Sequence, residues 1–154
     1  MPDLDQVEEA ILAALETIPA EAVAGGWLYD RRRWTRTIKT RLRDLGAQKF
    51  GARICAAGCQ NTDEGEWLYD FAWYRMTQGV TGDLVALDLV MECEWTPHPE
   101  MDGDFQKLVQ ARTHHRLWIF ESDTFEAIRA YIGRCQQQIE TFEGTLLAWI
   151  MRER

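Results

Sequence analysis

The stretch Leu84-Val85-Ala86-Leu87-Asp88-Leu89-Val90-Met91-Glu92-Cys93-Glu94-Trp95 decides how this chain is read. Its run of branched and long apolar side chains predicts a strand over residues 84 to 95 that is built for burial. A strand alternates faces, so Glu92 and Glu94 project the same way, and Asp88 shares their side. Carboxylates on one face of an apolar segment repel each other and resist desolvation. They need a proton, a cation or a solvated strand end to be tolerated, and a divalent metal is the reading with chemistry in it.

Working outward, Gly79 and Gly82 mark a turn before this strand, and residues 66 to 76 precede it with Trp67, Tyr69, Phe71 and Trp73 alternating against Leu68, Asp70, Ala72 and Tyr74. Both sets are largely apolar, which predicts a strand buried on both faces with Asp70 as its one carboxylate in mid-run. Residues 52 to 57 form a shorter strand before it. Further upstream, Trp34, Ile38, Leu42 and Leu45 give the buried stripe of a helix over 31 to 45 that ends at Gly46, and Leu4, Val7, Ile11, Ala14, Leu15 and Ile18 give an N-terminal helix over 3 to 18 that stops before Pro19.

Downstream, Pro97 and Pro99 close the central strand. Asp102 or Asp104 then caps a helix to about residue 112, a strand follows over 116 to 120, Asp123 and Glu126 open a further helix with Phe125, Ile128, Ile132, Cys135 and Ile139 inward, and residues 145 to 151 form a last strand after Gly144. The result is an α/β fold, a mixed central sheet flanked by helices, in one domain over residues 1 to 154. Its core spans about 31 to 121, with the helix at 3 to 18 before it and a helix and strand over 123 to 151 after it.

Composition narrows the classes of function. The chain is 46% hydrophobic with seven Trp, which excludes disorder. No stretch approaches the roughly 18 apolar residues of a membrane span, and the acidic Met1-Pro2-Asp3-Leu4-Asp5 start is unlike a secretory signal, so a cytoplasmic protein is expected. A net charge of -8 argues against an indiscriminate nucleic-acid coater. Yet nine of the seventeen basic residues fall between Arg31 and Arg53. Among them Arg31, Arg32, Arg33, Arg36, Lys39 and Arg43 are candidate phosphate contacts, against the plainer reading of a solvated helix face. Cys55 and Cys59 with His114 and His115 lack the regular paired spacing of a structural zinc site.

Three consecutive strands after a helix, then a helix and a fourth strand, with Asp70 in the second strand and Glu92-Cys93-Glu94 ending the third, resemble the PD-(D/E)XK nuclease superfamily, the restriction-endonuclease-like fold. Asp70 matches the Asp of that motif, Glu92 the acidic second position and Cys93 the variable one. Glu94 stands where most members have Lys, although some restriction endonucleases carry Glu there. The run Asp104-Phe105-Gln106-Lys107-Leu108 resembles variants in which the Lys has moved to the following helix.

The resemblance implies an αβββαβ core and hydrolysis of phosphodiester bonds with magnesium or manganese. Asp70, Glu92 and Glu94 would hold metal, and Lys107 would offset charge on the scissile phosphate. Nucleic acid would be the partner, DNA ahead of RNA. Competing readings stand beside each residue: Asp70 bonding backbone groups or Arg53, Glu92 and Glu94 lying in water past the sheet, Asp88 as the true ligand, Lys107 as a surface lysine, Asp104 as a helix cap, and His114-His115 as incidental. The alternative functions are a degenerate member acting as a nucleic-acid- or protein-interaction module, and a binding protein using Trp67, Tyr69, Trp73, Trp95 and Trp118.

Overall fold

The computed structural model describes residues 4–78, 82–96, 100–122, 124–138 and 143–152. Gly79, Pro97, Pro99, Asp123 and Ile139, and the side chains of Phe125, Ile128 and Cys135, lie outside that description. The chain begins with helix α1 (Gln6–Leu15), opened by a reciprocal cap. Asp5 Oδ1 accepts the N–H groups of Val7 and Glu8 at 2.9 Å each, and the Glu8 side chain accepts the Asp5 N–H at 3.0 Å.

A separate helix α2 (Ile18–Ala24) follows, where the sequence pattern predicts only the end of the first helix and a loop. Proline has no N–H to lose in a first helical turn, so Pro19 starts a helix here. Helix α3 (Arg31–Lys49) runs through Gly46, which was expected to end it. A Cβ at Gly46 would lie 2.3 Å from Trp73 Nε1, so that glycine lets the helix press onto the sheet. Its role is close approach, not termination.

The strands are β1 (Arg53–Cys55), β2 (Phe71–Met76), β3 (Leu84–Glu94), β4 (Thr113–Ser122) and β5 (Thr145–Arg152), with helix α4 (Glu100–Gln110) between β3 and β4 and helix α5 (Phe125–Gln138) between β4 and β5. The Thr124 hydroxyl accepts the Ala127 N–H at the start of α5. The sheet order follows the chain, β1-β2-β3-β4-β5. The first three strands are antiparallel; β3 to β4 and β4 to β5 are parallel. This is an open, mixed five-stranded sheet with helices on both faces.

Alternation along β3 sorts the two cores. Leu89 and Met91, with Phe71, Trp73, Leu117 and Ile119, meet Ile11, Leu15, Trp34, Ile38 and Leu42 from α1 and α3. Val90, with Ala72, Tyr74, Trp118 and Phe120, meets Met101, Phe105, Leu108 and Tyr131 from α4 and α5. Burying both faces this way accounts for the near-continuous apolar runs in the sequence. The strand expected at 66 to 76 is shorter than its alternating aromatics suggested: Trp67 and Leu68 are exposed, and β2 begins only at Phe71. Asp70 therefore stands immediately before the strand, not in its middle. No described helix is long and apolar enough to cross a membrane.

Candidate functional site

The chain reverses from antiparallel to parallel pairing at β3, and the acidic residues gather at the C-terminal end of that strand. Glu92 is paired in register with Trp118 of β4, and Met91 with Phe71, which puts Asp70 across from Glu92 on the other neighbour. The Asp70 carboxylate accepts the Cys93 N–H at 2.9 Å. Backbone bonding thus fixes Asp70; Arg53 pairs with Asp63 at 3.6 Å instead.

Glu92 is 1% exposed, on the face covered by α4. Helix α4 brings Asp104 and Lys107 to it. Lys107 Nζ lies 3.2 Å from Glu92 Oε1 and 3.2 Å from Asp104 Oδ1. On a helical wheel Lys107 belongs outside the stripe of Phe105 and Leu108, but its four-carbon stem reaches around to the sheet and leaves the side chain 40% exposed. It is neither free in solvent nor buried.

Electrostatics follow from that packing. Burial pushes the Glu92 carboxyl up to about 8, the charges of Asp70 and Asp104 push the same way, and Lys107 opposes them. Near neutral pH Glu92 holds a proton. Burial also raises Asp104, Lys107 pulls it down, and Asp70 and Glu94 add to the rise. Burial disfavours the Lys107 ammonium, but Glu92 and Asp104 outweigh it and push its pKa up. The Cys93 thiol is driven well above its ordinary range, by burial first and by Asp70 second. Lys107 is thus a cation held among carboxyl groups of which the most buried resists ionisation.

Of the expected site residues, Glu92 and Lys107 are brought together, and Asp70 and Glu94 act on the same cluster through their charge. Glu94 turns its Oε1 to the Thr96 N–H at 2.7 Å. Asp88 faces away, bound through both oxygens by Arg75 at 2.8 and 3.0 Å. Asp104, for which a helix cap was the competing reading, belongs to the cluster. Its signal was present in the sequence: on a helix it shares a side with Lys107 three residues on.

The basic segment is divided by its partners. Lys39 is not a surface cation: it is buried next to the Ile38 and Leu42 stripe, and its Nζ donates to the Ala57 carbonyl at 3.0 Å. Arg31 pairs with Glu121 at 2.5 Å and lies over Trp95, and Arg43 is held by Asp44 and the Gln60 carbonyl. Arg33 is exposed and lies over Trp27, 5.0 Å from the ring centre. Arg32 and Arg36 are exposed, with no ion pair among the described residues. Of the aromatic set, Tyr69, Trp73 and Trp118 are core residues.

Among the described residues, only Asp5, His114 and His115 bring three potential ligand atoms of this kind within 4.8 Å of one another. Asp70, Glu92 and Glu94 are not drawn together to that spacing, and neither Cys55 nor Cys59 joins the histidines. The meeting of Asp5 with His115 was not foreseen, because it joins residues 110 apart in the sequence. No family model matches the chain, and no curated protein and no solved structure matches it either.

Proposed function

We propose that this chain is a divergent member of the PD-(D/E)XK superfamily, a divalent-metal-dependent protein that hydrolyses phosphodiester bonds in nucleic acid. The observation that carries this reading is Glu92: a buried carboxyl group at the end of β3, facing Asp70 and Asp104, with Lys107 donated from the next helix. The element order α3, β1, β2, β3, α4, β4 agrees with the αβββαβ core implied by the resemblance.

Asp70, Glu92 and Asp104, with Glu94 beside them, offer the hard oxygen donors that suit magnesium or manganese. The donor chemistry fits, and so does a protonated Glu92, which would exchange its proton for a metal ion. The carboxylates would have to draw closer, since no three of them lie within 4.8 Å of one another. Such an ion, when bound, supplies positive charge at the phosphorus centre and lowers the pKa of a bound water. The chain's own part is to fix Asp70 through the Cys93 amide, to exclude water around Glu92, and to present Lys107 toward a phosphate oxygen.

A second reading, a member that keeps the fold and serves as an interaction module, is favoured by one observation. The Lys107 ammonium already neutralises the cluster from within, at 3.2 Å from two carboxyl groups. Calorimetric titration with magnesium and manganese, together with cleavage assays on single- and double-stranded DNA and RNA, separates the two readings. The nuclease reading expects metal binding and cleavage that Glu92→Gln abolishes and Lys107→Ala slows. Binding without cleavage would favour the module, and neither would sink the enzyme.

A further inference from the structure

A second constellation lies away from the acidic cluster, where the N-terminal cap of α1 meets the start of β4. Asp5 Oδ2 stands 2.7 Å from His115 Nε2 and 3.8 Å from His114 Nε2, and the two imidazole rings meet edge to face with centroids 4.6 Å apart. We propose that Asp5, His114 and His115 form a binding site for a zinc-class divalent transition-metal ion. This site is independent of the nuclease reading.

Two of the three ligands, Asp5 and His115, are anchored through their other end. Asp5 Oδ1 is taken up by the Val7 and Glu8 N–H groups, which leaves Oδ2 to face the histidines. His115 Nδ1 lies 3.3 Å from the Asp88 carbonyl. A hydrogen donated there fixes the tautomer that turns Nε2 outward as a ligand, the support that metal-bound histidines characteristically have. The backbone is held as well. Thr113 Oγ1 donates to the His115 carbonyl at 3.2 Å, and at Gly144, whose φ is +100°, an added Cβ would fall 2.2 Å from the His114 oxygen.

The spacing suits the ion. Zinc ligands at about 2.0 to 2.2 Å in tetrahedral array stand roughly 3.3 Å from one another, so separations of 2.7 and 3.8 Å need shifts of about half an ångström. Two imidazoles and one carboxylate suit zinc better than magnesium, which prefers oxygen. With three protein ligands and an exposed His114, the fourth position is open to water. Occupancy would clamp the first helix to the fourth strand, two elements joined here across 110 residues.

The test titrates the full-length chain with zinc, following melting temperature and calorimetry, and with cobalt as a spectroscopic probe. The expected result is one ion per chain, a melting temperature that rises with zinc concentration, and a cobalt spectrum of nitrogen and oxygen ligation without a thiolate charge-transfer band. His115→Gln and Asp5→Asn should each weaken zinc binding by about 10-fold or more. Asn still caps a helix, so the latter variant keeps α1 intact. Glu92→Gln should leave zinc binding unchanged, which separates this site from the acidic cluster. Absence of zinc binding, unaltered affinity in both ligand variants, a thiolate band, or loss of the zinc effect in Glu92→Gln would each overturn the proposal.

Discussion

The two faces of the sheet bury their polar groups differently. On the face covered by α1 and α3, Trp34 Nε1 donates to the Leu28 carbonyl at 2.8 Å and Trp73 Nε1 to the Leu42 carbonyl at 2.9 Å. On the face covered by α4 and α5, the Tyr74 hydroxyl and Trp118 Nε1 are buried without a partner among the described residues, against Thr145 Oγ1 alone on the other side, and Glu92 is buried beside two other acids. Leaving a buried polar group unpaired costs about 1 to 3 kcal/mol. The second face carries more of the groups whose burial opposes stability, Glu92 above all, as expected where a fold makes room for a ligand.

The largest effect should come from the tighter face. Gly46→Val places its Cβ against Trp73, whose indole is pinned by the Leu42 carbonyl and cannot move aside. Overpacking of this kind costs about 3 kcal/mol, against a few tenths gained in helix propensity. Denaturant melts should register that destabilisation. Unchanged stability would show that this face is no more closely packed than the other.

A smaller effect of opposite sign is expected on the α4 face. Glu92 has an ordinary value of 4.5 and a folded value of about 8. Between these the folded chain keeps a proton that the unfolded chain has released, so raising the pH through this window favours unfolding. Glu92→Gln removes that dependence, so the variant should gain on the wild type progressively as the pH rises through the window, with little change below it. A stability profile from pH 4 to 9 with the same slope in both proteins would contradict the contrast.

The smallest effect on stability belongs to the exposed part of α3. Charge reversal at Arg32 and Arg36 should alter stability by less than about 0.5 kcal/mol, because neither has an ion pair among the described residues. The same change should weaken any nucleic-acid binding and flatten its salt dependence, since a protein that neutralises fewer phosphates releases fewer counterions. A salt slope unmoved by the double variant would assign binding elsewhere.

Much of this was legible in the chain. Apolar residues on both faces made β3 and β5 readable to within one residue, because the apolar runs are long and bounded by turn residues. The errors came where one residue has two uses. Pro19 stops one helix and opens another, and Gly46 sits inside a helix because a ring lies against it. The exposed Trp67 imitates the alternation of a strand. Within the acidic cluster, Glu92 was marked by its apolar context, whereas the reach of Lys107 depends on where α4 crosses the sheet. The meeting of Asp5 with His115 leaves no trace in local periodicity, since only tertiary packing brings them together.

The pairing of β2 with β3 is regular from Phe71 to Trp73 and shifts twice beyond, between Trp73 and Tyr74 and between Arg75 and Met76. Irregularities of this kind take up an extra residue by bending and twisting the ribbon locally. Both lie on the side of the hairpin away from Asp70 and Cys93. A change in length at the far end of the hairpin would be absorbed before it reached the bond between those two residues. The ribbon thus has a compliant end and a stiff one, and the acidic cluster is built at the stiff end.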